Sequence, residues 1–284
     1  MITQKVFFVH IPKTAGSTIT AAVRDHFCST QVCPYYHRAH LDAENLQMLP
    51  QWDFFWGHLP VSILNYIETP FIFTFLREPV ERMLSEYHYI TTSREEILAQ
   101  NCQTWANPLL EFYAGHSFEE VADTRSLIDI RLNFQTLWLA DCLTNFANIG
   151  AASKVNFRDA LHRARAFVDK LDMVGLVERM DVSLVLLSDK LRVPLLEIKN
   201  SLKVNKQRPE EGWKTQFSEL EPRLRKMAVF DYKIYAKAKK RLESEWKRFC
   251  KRAGIKHAES LNPANLDKIR DYLSRSALNE QPTP

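Results

Sequence analysis

Residues 10 to 18 read His-Ile-Pro-Lys-Thr-Ala-Gly-Ser-Thr, which places a lysine, a glycine and several hydroxyl groups in one short stretch. The stretch follows an apolar run at residues 6 to 9 and precedes a helical pattern over residues 17 to 27. Backbone N–H groups at a helix start lack partners within the helix and carry the positive end of its dipole. The pattern therefore predicts a site for phosphate or sulfate, to which Lys13 adds a mobile positive charge.

The order of these residues differs from that of the phosphate loop of nucleoside triphosphate enzymes. That loop places its lysine after a second glycine, whereas Lys13 precedes Gly16, the single glycine of the stretch. Ordinary triphosphate binding is therefore disfavoured. A tight turn with an exposed lysine is the alternative interpretation, but Pro12 and Gly16 favour a close approach of the backbone to an anion.

A second junction of strand and helix follows about sixty residues later in the chain. The apolar run at residues 70 to 76 ends in Arg77-Glu78-Pro79 and leads into a helical pattern over residues 80 to 90. Proline suits the first helical turn and holds the preceding residue extended, so Arg77 should lie at the carboxyl end of the strand. Its planar guanidinium suits a second phosphate. Pairing with a carboxylate such as Glu81 is the alternative role for it.

The two junctions predict how the site is assembled. In an open parallel sheet ligands gather outside the carboxyl ends of the strands, so Lys13 and Arg77 are expected to face one crevice from neighbouring strands. Ser85 lies about two turns into the second helical pattern. With 284 residues and 45% hydrophobic content, the alternating strand and helix signals predict one α/β domain with helical additions.

Together these residues resemble the nucleotide-binding motifs of sulfotransferases that use 3'-phosphoadenosine 5'-phosphosulfate (PAPS). The resemblance rests on Pro-Lys-Thr-Ala-Gly-Ser-Thr at residues 12 to 18 and on Leu-Arg-Glu-Pro-Val-Glu-Arg-Met-Leu-Ser-Glu-Tyr at residues 76 to 87. The nearer likeness is to the carbohydrate branch that contains heparan sulfate 2-O-sulfotransferase and its bacterial relatives. It spans residues 5 to about 245 of this chain.

The resemblance implies a P-loop-like three-layer fold, with a central parallel sheet flanked by helices. It implies in-line transfer of the sulfuryl group from PAPS to an acceptor hydroxyl, of a carbohydrate by this likeness, with 3',5'-adenosine bisphosphate as product and without a metal. Arg77 and Ser85 would bind the 3'-phosphate. The 5'-phosphosulfate would be held by Lys13, Thr14, Ala15, Gly16, Ser17 and Thr18.

His58 is the candidate general base, since sulfuryl transfer requires the acceptor hydroxyl to lose its proton. It ends the run Asp-Phe-Phe-Trp-Gly-His at residues 53 to 58, a predicted short strand. Histidine titrates near neutrality, so its neutral form can accept a proton. The carbohydrate branch that the chain resembles carries a Gly-His at a comparable place, with that histidine as base. His10 is the rival, but its place at the end of a buried strand suits a structural role.

Two further pairs of residues are weaker candidates for the site. Lys206 and Arg208 lie in a basic loop placed where many sulfotransferases close over the nucleotide, although the glycine-rich form of that loop is absent. Gln135 and Thr136 are within a stretch that resembles later parts of the same branch, but a helix-capping or surface role is favoured for both.

The charge of the chain is concentrated near its end. Residues 223 to 256 carry a net charge of +10, whereas the whole chain carries +4. Apolar residues recur there every three or four positions, which predicts one amphipathic helix with a solvated basic face. Binding of an acidic glycan, an anionic membrane or nucleic acid is the alternative; no nucleic-acid partner is expected. We expect a single sulfotransferase domain over residues 1–252 and leave residues 253–284 unassigned.

Neither a disulfide framework nor a metal site is predicted. The cysteine count of five is odd, and Cys28 and Cys33, which could pair locally, lack the second pair that a zinc site would need. Residues 1 to 5 lead directly into the first predicted strand, with no signal peptide or membrane anchor. These features favour a cytoplasmic, bacterial-type enzyme.

Two other classes of function remain open at this point. One is a small-molecule kinase with a variant phosphate loop. The other is a non-catalytic protein that binds polyanions through the basic segment at residues 223 to 256.

Overall fold

The structure is a computed structural model that describes most of the chain. The described residues are 1–93, 111–113, 115–143, 155–195, 211–255 and 263–278.

Four parallel strands form the central sheet, and the apolar runs of the sequence account for them. The strands are β1 (Val6–Val9), β2 (Phe54–Phe55), β3 (Phe71–Leu76) and β4 (Met173–Leu176), in the order β2-β1-β3-β4. Every residue of β1 and β4 is buried. Burial of both faces is typical of a parallel sheet covered by helices.

The described helices surround this sheet. They are α1 (Gly16–Arg24), α2 (Ala43–Met48), α3 (Pro79–Thr92), α4 (Phe118–Asp123), α5 (Arg125–Leu132), α6 (Phe134–Leu139), α7 (Phe157–Lys170), α8 (Met180–Leu191), α9 (Glu211–Met227), α10 (Val229–Arg252) and α11 (Pro263–Leu278). Short 3₁₀ turns occupy Ser29–Gln31, Arg38–His40, Leu49–Gln51, Val61–Tyr66 and Val177–Arg179.

The strand order places a crevice between β1 and β3. From β1 the chain first adds β2 on one side and then crosses to add β3 on the other side. Ligands bind at such a point of reversal, outside the carboxyl ends of the strands. The loop that contains Lys13 follows β1, and Arg77 follows β3. The predicted P-loop-like α/β fold, with a parallel sheet flanked by helices, is confirmed.

The basic segment at residues 223 to 256 forms parts of two helices, so the prediction of one continuous helix was wrong. α9 ends at Met227 and α10 begins at Val229. The side chain of Asn133 bonds the backbone on both sides of the break. Its amide nitrogen donates to the Met227 carbonyl at 3.0 Å, and its oxygen accepts from the N–H of Phe230 at 2.9 Å. Most of the predicted apolar face is nonetheless buried. Met227 and Tyr235 are half-buried, and the core contains the other six residues, Leu224, Ile234, Ala238, Leu242, Trp246 and Phe249.

The end of the chain that the sequence left unassigned includes α11. Its Ile269 is fully buried within the main hydrophobic core. The Tyr272 ring packs edge-on against Phe249, with ring centroids 5.3 Å apart. The domain boundary at residue 252 stays a prediction.

Candidate functional site

The loop between β1 and α1 is a tight turn with two non-glycine residues in the left-handed region. The φ angles of Lys13 and Ala15 are 69° and 65°. Each such residue costs on the order of 1 kcal/mol or more, and such strain is concentrated at functional sites. The buried Thr14 hydroxyl stabilises the turn by donating to the Ile11 carbonyl at 2.8 Å. Ala15 supplies no side-chain cap to α1, so it leaves the first-turn N–H groups available to a ligand.

Gly16 begins α1 and allows a histidine ring to approach the helix. A Cβ atom at Gly16 would lie 1.5 Å from Nε2 of His10. The His10 ring is also stacked on Phe8, with centroids 5.2 Å apart and planes at 15°. The sequence indicated close approach of an anion at Gly16; the structure shows that this glycine also makes room for an imidazole.

We expect the Gly16→Ala substitution to destabilise the protein, because the new methyl group and the His10 ring would occupy the same space. Overpacking of this kind lowers the free energy of unfolding by about 1–3 kcal/mol. Urea unfolding measures the change. Gly115→Ala is the matched control, since a Cβ atom there meets nothing within 4 Å. In a His10→Ala background the added cost of Gly16→Ala should largely disappear; an added cost that persists there would contradict the steric explanation.

The Lys13 ammonium lies over the ring of Tyr89 in α3, with Nζ 3.8 Å from the ring centroid. Burial lowers the pKa of Lys13 from 10.5 to about 8. Attraction by Glu86 opposes this shift, whereas repulsion from Arg77 and Arg82 adds to it. The Lys13 ammonium is therefore within electrostatic range of the Arg77 guanidinium. No sequence pattern singled out Tyr89.

Arg77 is fixed through its backbone more firmly than through its side chain. Its N–H donates to Oε1 of Gln135 at 2.9 Å, and its carbonyl accepts from Nε2 of Gln135 at 2.8 Å. The guanidinium pairs with Glu81 at 3.4 Å, where the side-chain exposures are 25% and 51%. An exposed pair of this kind contributes about 0–1 kcal/mol, so it leaves the guanidinium able to bind a ligand.

Ser85 lies on α3 between the groups that contact Arg77 and Lys13. Glu81, the partner of Arg77, is one turn before Ser85, and Tyr89, the partner of Lys13, is one turn after it. Residues four apart share one face of a helix. Ser85, which is half-buried, therefore shares one face of α3 with the residues that contact the two basic side chains.

His58 follows β2 and packs directly against His10. Its Nδ1 is 3.4 Å from the His10 carbonyl oxygen, and the two ring centroids are 4.5 Å apart. A carbonyl oxygen can only accept, so this contact favours the proton on Nδ1 and a lone pair on Nε2. The Trp138 ring meets His58 edge-on at 6.1 Å.

Both imidazoles are neutral at pH 7. Burial lowers the pKa of His58 from 6.5 to about 4; the hydrogen bond to the His10 carbonyl opposes the shift, and repulsion from Lys13 adds to it. Burial also lowers the pKa of His10 well below 6.5, with further lowering by His58 and Lys13. Each ring is thus present in the form that accepts a proton.

The position of His58 depends on Gly57, which has a φ of 87°. A Cβ atom at Gly57 would lie 2.4 Å from the backbone oxygen of Tyr36. That same oxygen accepts from the His58 N–H at 2.6 Å. Only glycine suits both the left-handed conformation and this close approach.

A buried ionic cluster lies near Lys13, and no sequence pattern indicates it. Arg82 and Arg131 pair with the carboxylate of Glu86 at 2.7 Å and 3.2 Å. All three side chains are almost fully buried. Burial alone would raise the pKa of Glu86, but attraction by Arg131 and Arg82 lowers it. Two guanidinium groups on one carboxylate leave a net positive charge inside the protein, next to the candidate anion site.

Gln135 and Thr136 are fully buried, so the surface role favoured for them was wrong. Their backbone is bonded to Asp231 of the neighbouring helix α10. The Asp231 carboxylate accepts from the N–H groups of Gln135 at 3.1 Å and Thr136 at 2.7 Å. Asp231 thereby caps α6, while Asn133 caps α10 in return through the N–H of Phe230.

Lys206 and Arg208 lie outside the described residues. Cys28 and Cys33 are both free thiols. Among the described residues, no group of three or more His, Cys, Asp or Glu side chains is arranged to hold a metal ion. Within the same part of the chain, no helix has the length and apolar character needed to cross a membrane.

The fold and the site define a class: this is an α/β protein of P-loop-like fold, with a lysine-containing turn after its first strand and an arginine after the neighbouring strand. The sequence model of the sulfotransferase family matches residues 2–281. The chain therefore belongs to the sulfotransferase family and is an enzyme of sulfuryl transfer. A search of curated proteins found no match.

Proposed function

We propose that this sulfotransferase uses PAPS as its donor and a carbohydrate hydroxyl as its acceptor, as a bacterial-type member of the carbohydrate branch. The observation that carries the donor assignment is the placement of Lys13 and Arg77 after the neighbouring parallel strands β1 and β3. Two separated cationic groups at one crevice suit a nucleotide that carries phosphate groups at both ends of its ribose.

The donor's two anionic groups would bind at opposite ends of the α3 face. The 5'-phosphosulfate would lie against the turn at residues 13 to 18 and accept from the N–H groups of the first turn of α1. The 3'-phosphate would bind the guanidinium of Arg77 and the hydroxyl of Ser85. The net positive charge of the cluster formed by Arg82, Arg131 and Glu86 would stabilise either anion at longer range.

The chemical step would be an in-line displacement at sulfur. Nε2 of His58 would take the proton of the acceptor hydroxyl while its oxygen forms the new S–O bond. The bond between sulfur and the bridging oxygen of the nucleotide would break, and that electron pair would leave with 3',5'-adenosine bisphosphate. Lys13 would stabilise the negative charge that develops on the departing phosphate.

An exposed aromatic residue in the segment bonded to His58 supports the carbohydrate acceptor. Tyr36 is 41% exposed and is stacked near Trp56, with ring centroids 6.0 Å apart and planes at 20°. The backbone oxygen of Tyr36 is bonded to the His58 N–H. An exposed aromatic ring on the residue that is bonded to the backbone of the proposed base offers a surface on which a sugar ring can pack.

A thermal-shift titration tests the donor assignment. We expect saturable stabilisation by 3',5'-adenosine bisphosphate and weaker stabilisation by ADP, because ligands that bind the native state raise its stability with concentration. No saturable stabilisation by 3',5'-adenosine bisphosphate would overturn the proposal and favour a polyanion-binding protein. Assays with sulfur-labelled PAPS and phosphorus-labelled ATP then separate sulfuryl transfer from a kinase activity.

The lowered pKa of Lys13 predicts an alkaline limit on donor binding. Below pH 8 the lysine is charged in the free enzyme, and above pH 8 it loses its proton. Binding of the nucleotide above pH 8 therefore requires Lys13 to take up one proton from solution. We therefore expect the affinity for 3',5'-adenosine bisphosphate to fall by up to about tenfold per pH unit above pH 8. Calorimetric titrations from pH 7 to 9.5 measure it. The decline should disappear in Lys13→Met; a decline of the same slope in that variant would assign it to another group.

A further inference from the structure

The N–H and the carbonyl of Arg77 are hydrogen-bonded to a side chain, in the way that they would be bonded to a neighbouring strand. Arg77 lies one residue beyond β3, where Leu76 is paired with Leu176 of β4. At Arg77 the primary amide of Gln135 takes over: its oxygen accepts from the N–H at 2.9 Å and its nitrogen donates to the carbonyl at 2.8 Å. One side chain thus satisfies both main-chain polar groups of the residue.

Gln135 is itself held in a single orientation. It is fully buried as the second residue of α6. Its N–H and its side-chain amide donate to the same oxygen of Asp231, at 3.1 Å and 3.3 Å. Asp231 belongs to α10 and is also fully buried. Gln135 therefore connects α10 to the end of β3 by hydrogen bonds.

The segment after Arg77 is fixed in a comparable way, whereas the guanidinium is not. The N–H of Glu78 donates to Glu178 at 2.7 Å, and the Glu78 carboxylate accepts from Tyr232. The guanidinium has the exposed contact to Glu81 at 3.4 Å. The direction of the Arg77 side chain is therefore set mainly by the backbone that Gln135 holds, since a partly exposed ion pair orients it weakly.

We propose that Gln135 is a positioning residue for Arg77 and so determines how well the enzyme selects nucleotides that carry a 3'-phosphate. The inference rests on the proposed binding of the 3'-phosphate by Arg77. Gln135 would not touch the nucleotide. It would hold the arginine backbone so that the guanidinium fork meets two phosphate oxygens, a geometry that a small displacement spoils.

The test compares the affinities of each variant for 3',5'-adenosine bisphosphate and for AMP, which lacks the 3'-phosphate. Gln135→Met keeps the volume of the side chain and removes its amide. We expect it to reduce the preference for the bisphosphate at least tenfold, approaching the ratio of Arg77→Ala. Adding Arg77→Ala to Gln135→Met should lower the ratio no further. Thr136→Val is the matched control, because Thr136 is equally buried in the same turn and its N–H donates to the same carboxylate.

Hydrogen exchange at the Arg77 amide provides a readout without any nucleotide. Exchange should be faster in Gln135→Met than in the wild-type enzyme and unchanged in Thr136→Val. If Gln135→Met does not fold, Gln135→Asn serves instead, since its shorter amide cannot span to Arg77 and should give the same loss of preference.

The outcomes separate the inference from the proposed function. A wild-type enzyme without preference for the bisphosphate over AMP would overturn the donor assignment and the inference with it. A wild-type preference that Gln135→Met retains, or that Thr136→Val loses equally, would overturn the inference alone, because Gln135 would then be a structural residue only.

Discussion

Replacing His58 by asparagine is expected to lower turnover by about 10²–10⁴-fold, the range that loss of a general base produces. The affinity for 3',5'-adenosine bisphosphate should change little, because the proposed contacts of His58 are with the acceptor and with the His10 carbonyl at 3.4 Å. Initial rates of sulfur transfer and calorimetric titration of the nucleotide measure the two effects separately. A loss in turnover without a loss in affinity is the mark of a group that acts in the transition state.

Two other histidines make this prediction specific. His26 lies after α1 and is only partly buried, so His26→Asn removes an imidazole outside the proposed site and should leave turnover unchanged. His10→Asn tests the rival base, whose ring is 4.5 Å from that of His58. If His10→Asn abolished turnover while His58→Asn retained it, the assignment of the base would be reversed.

The strands at the site could be predicted because each carries its signal locally. The first predicted run, residues 6 to 9, coincides with β1, and the run at 70 to 76 differs from β3 by one residue. Apolar, β-branched and aromatic residues bounded by polar residues or proline specify such strands without reference to distant partners. The prediction that the strands before Lys13 and Arg77 are neighbours in a parallel sheet is confirmed by the pairing of β1 with β3, whereas the position of β2 and β4 was not predicted.

The burial of the charged side chains could not be predicted, because it depends on groups that are far away in the chain. Arg82 and Glu86 are four residues apart on α3, a spacing that usually indicates an exposed ion pair. Their burial depends on Arg131, which comes from a separate helix. Asp231 is similar: it lies within the basic segment, yet it is buried because it caps α6.

The break before α10 has the same origin. The apolar spacing of residues 223 to 256 fits one continuous helix, and only Asn133, about 95 residues earlier in the chain, explains why two helices form. The spacing of apolar residues predicts which face of a helix is buried, and this prediction was correct for Ile234 and Trp246. It does not report where a side chain from another element replaces a main-chain hydrogen bond.

Lys13→Ala is expected to lower turnover by about 10²–10³-fold, or about 3 kcal/mol of transition-state stabilisation, the usual cost of losing one donor to a developing anion. Unlike His58→Asn, it should also weaken binding of 3',5'-adenosine bisphosphate markedly. The reason is that the Lys13 side chain, which belongs to the turn at residues 13 to 18, is partly buried over Tyr89, where a charge has more effect than in water. Calorimetric titration and single-turnover rates with PAPS measure the two losses.

The basic face of α10 supplies the control for this substitution. Lys240 and Lys247 are exposed there, and each is a lysine on a helix rather than in the turn. Lys240→Ala and Lys247→Ala should leave nucleotide affinity and turnover unchanged. If these two variants lost anion binding while Lys13→Ala retained it, the anion site would lie on α10 and the protein would be a polyanion binder at that surface. Equal loss of nucleotide affinity in Lys13→Ala and His58→Asn would instead refute the division of roles, because the base should not hold the donor.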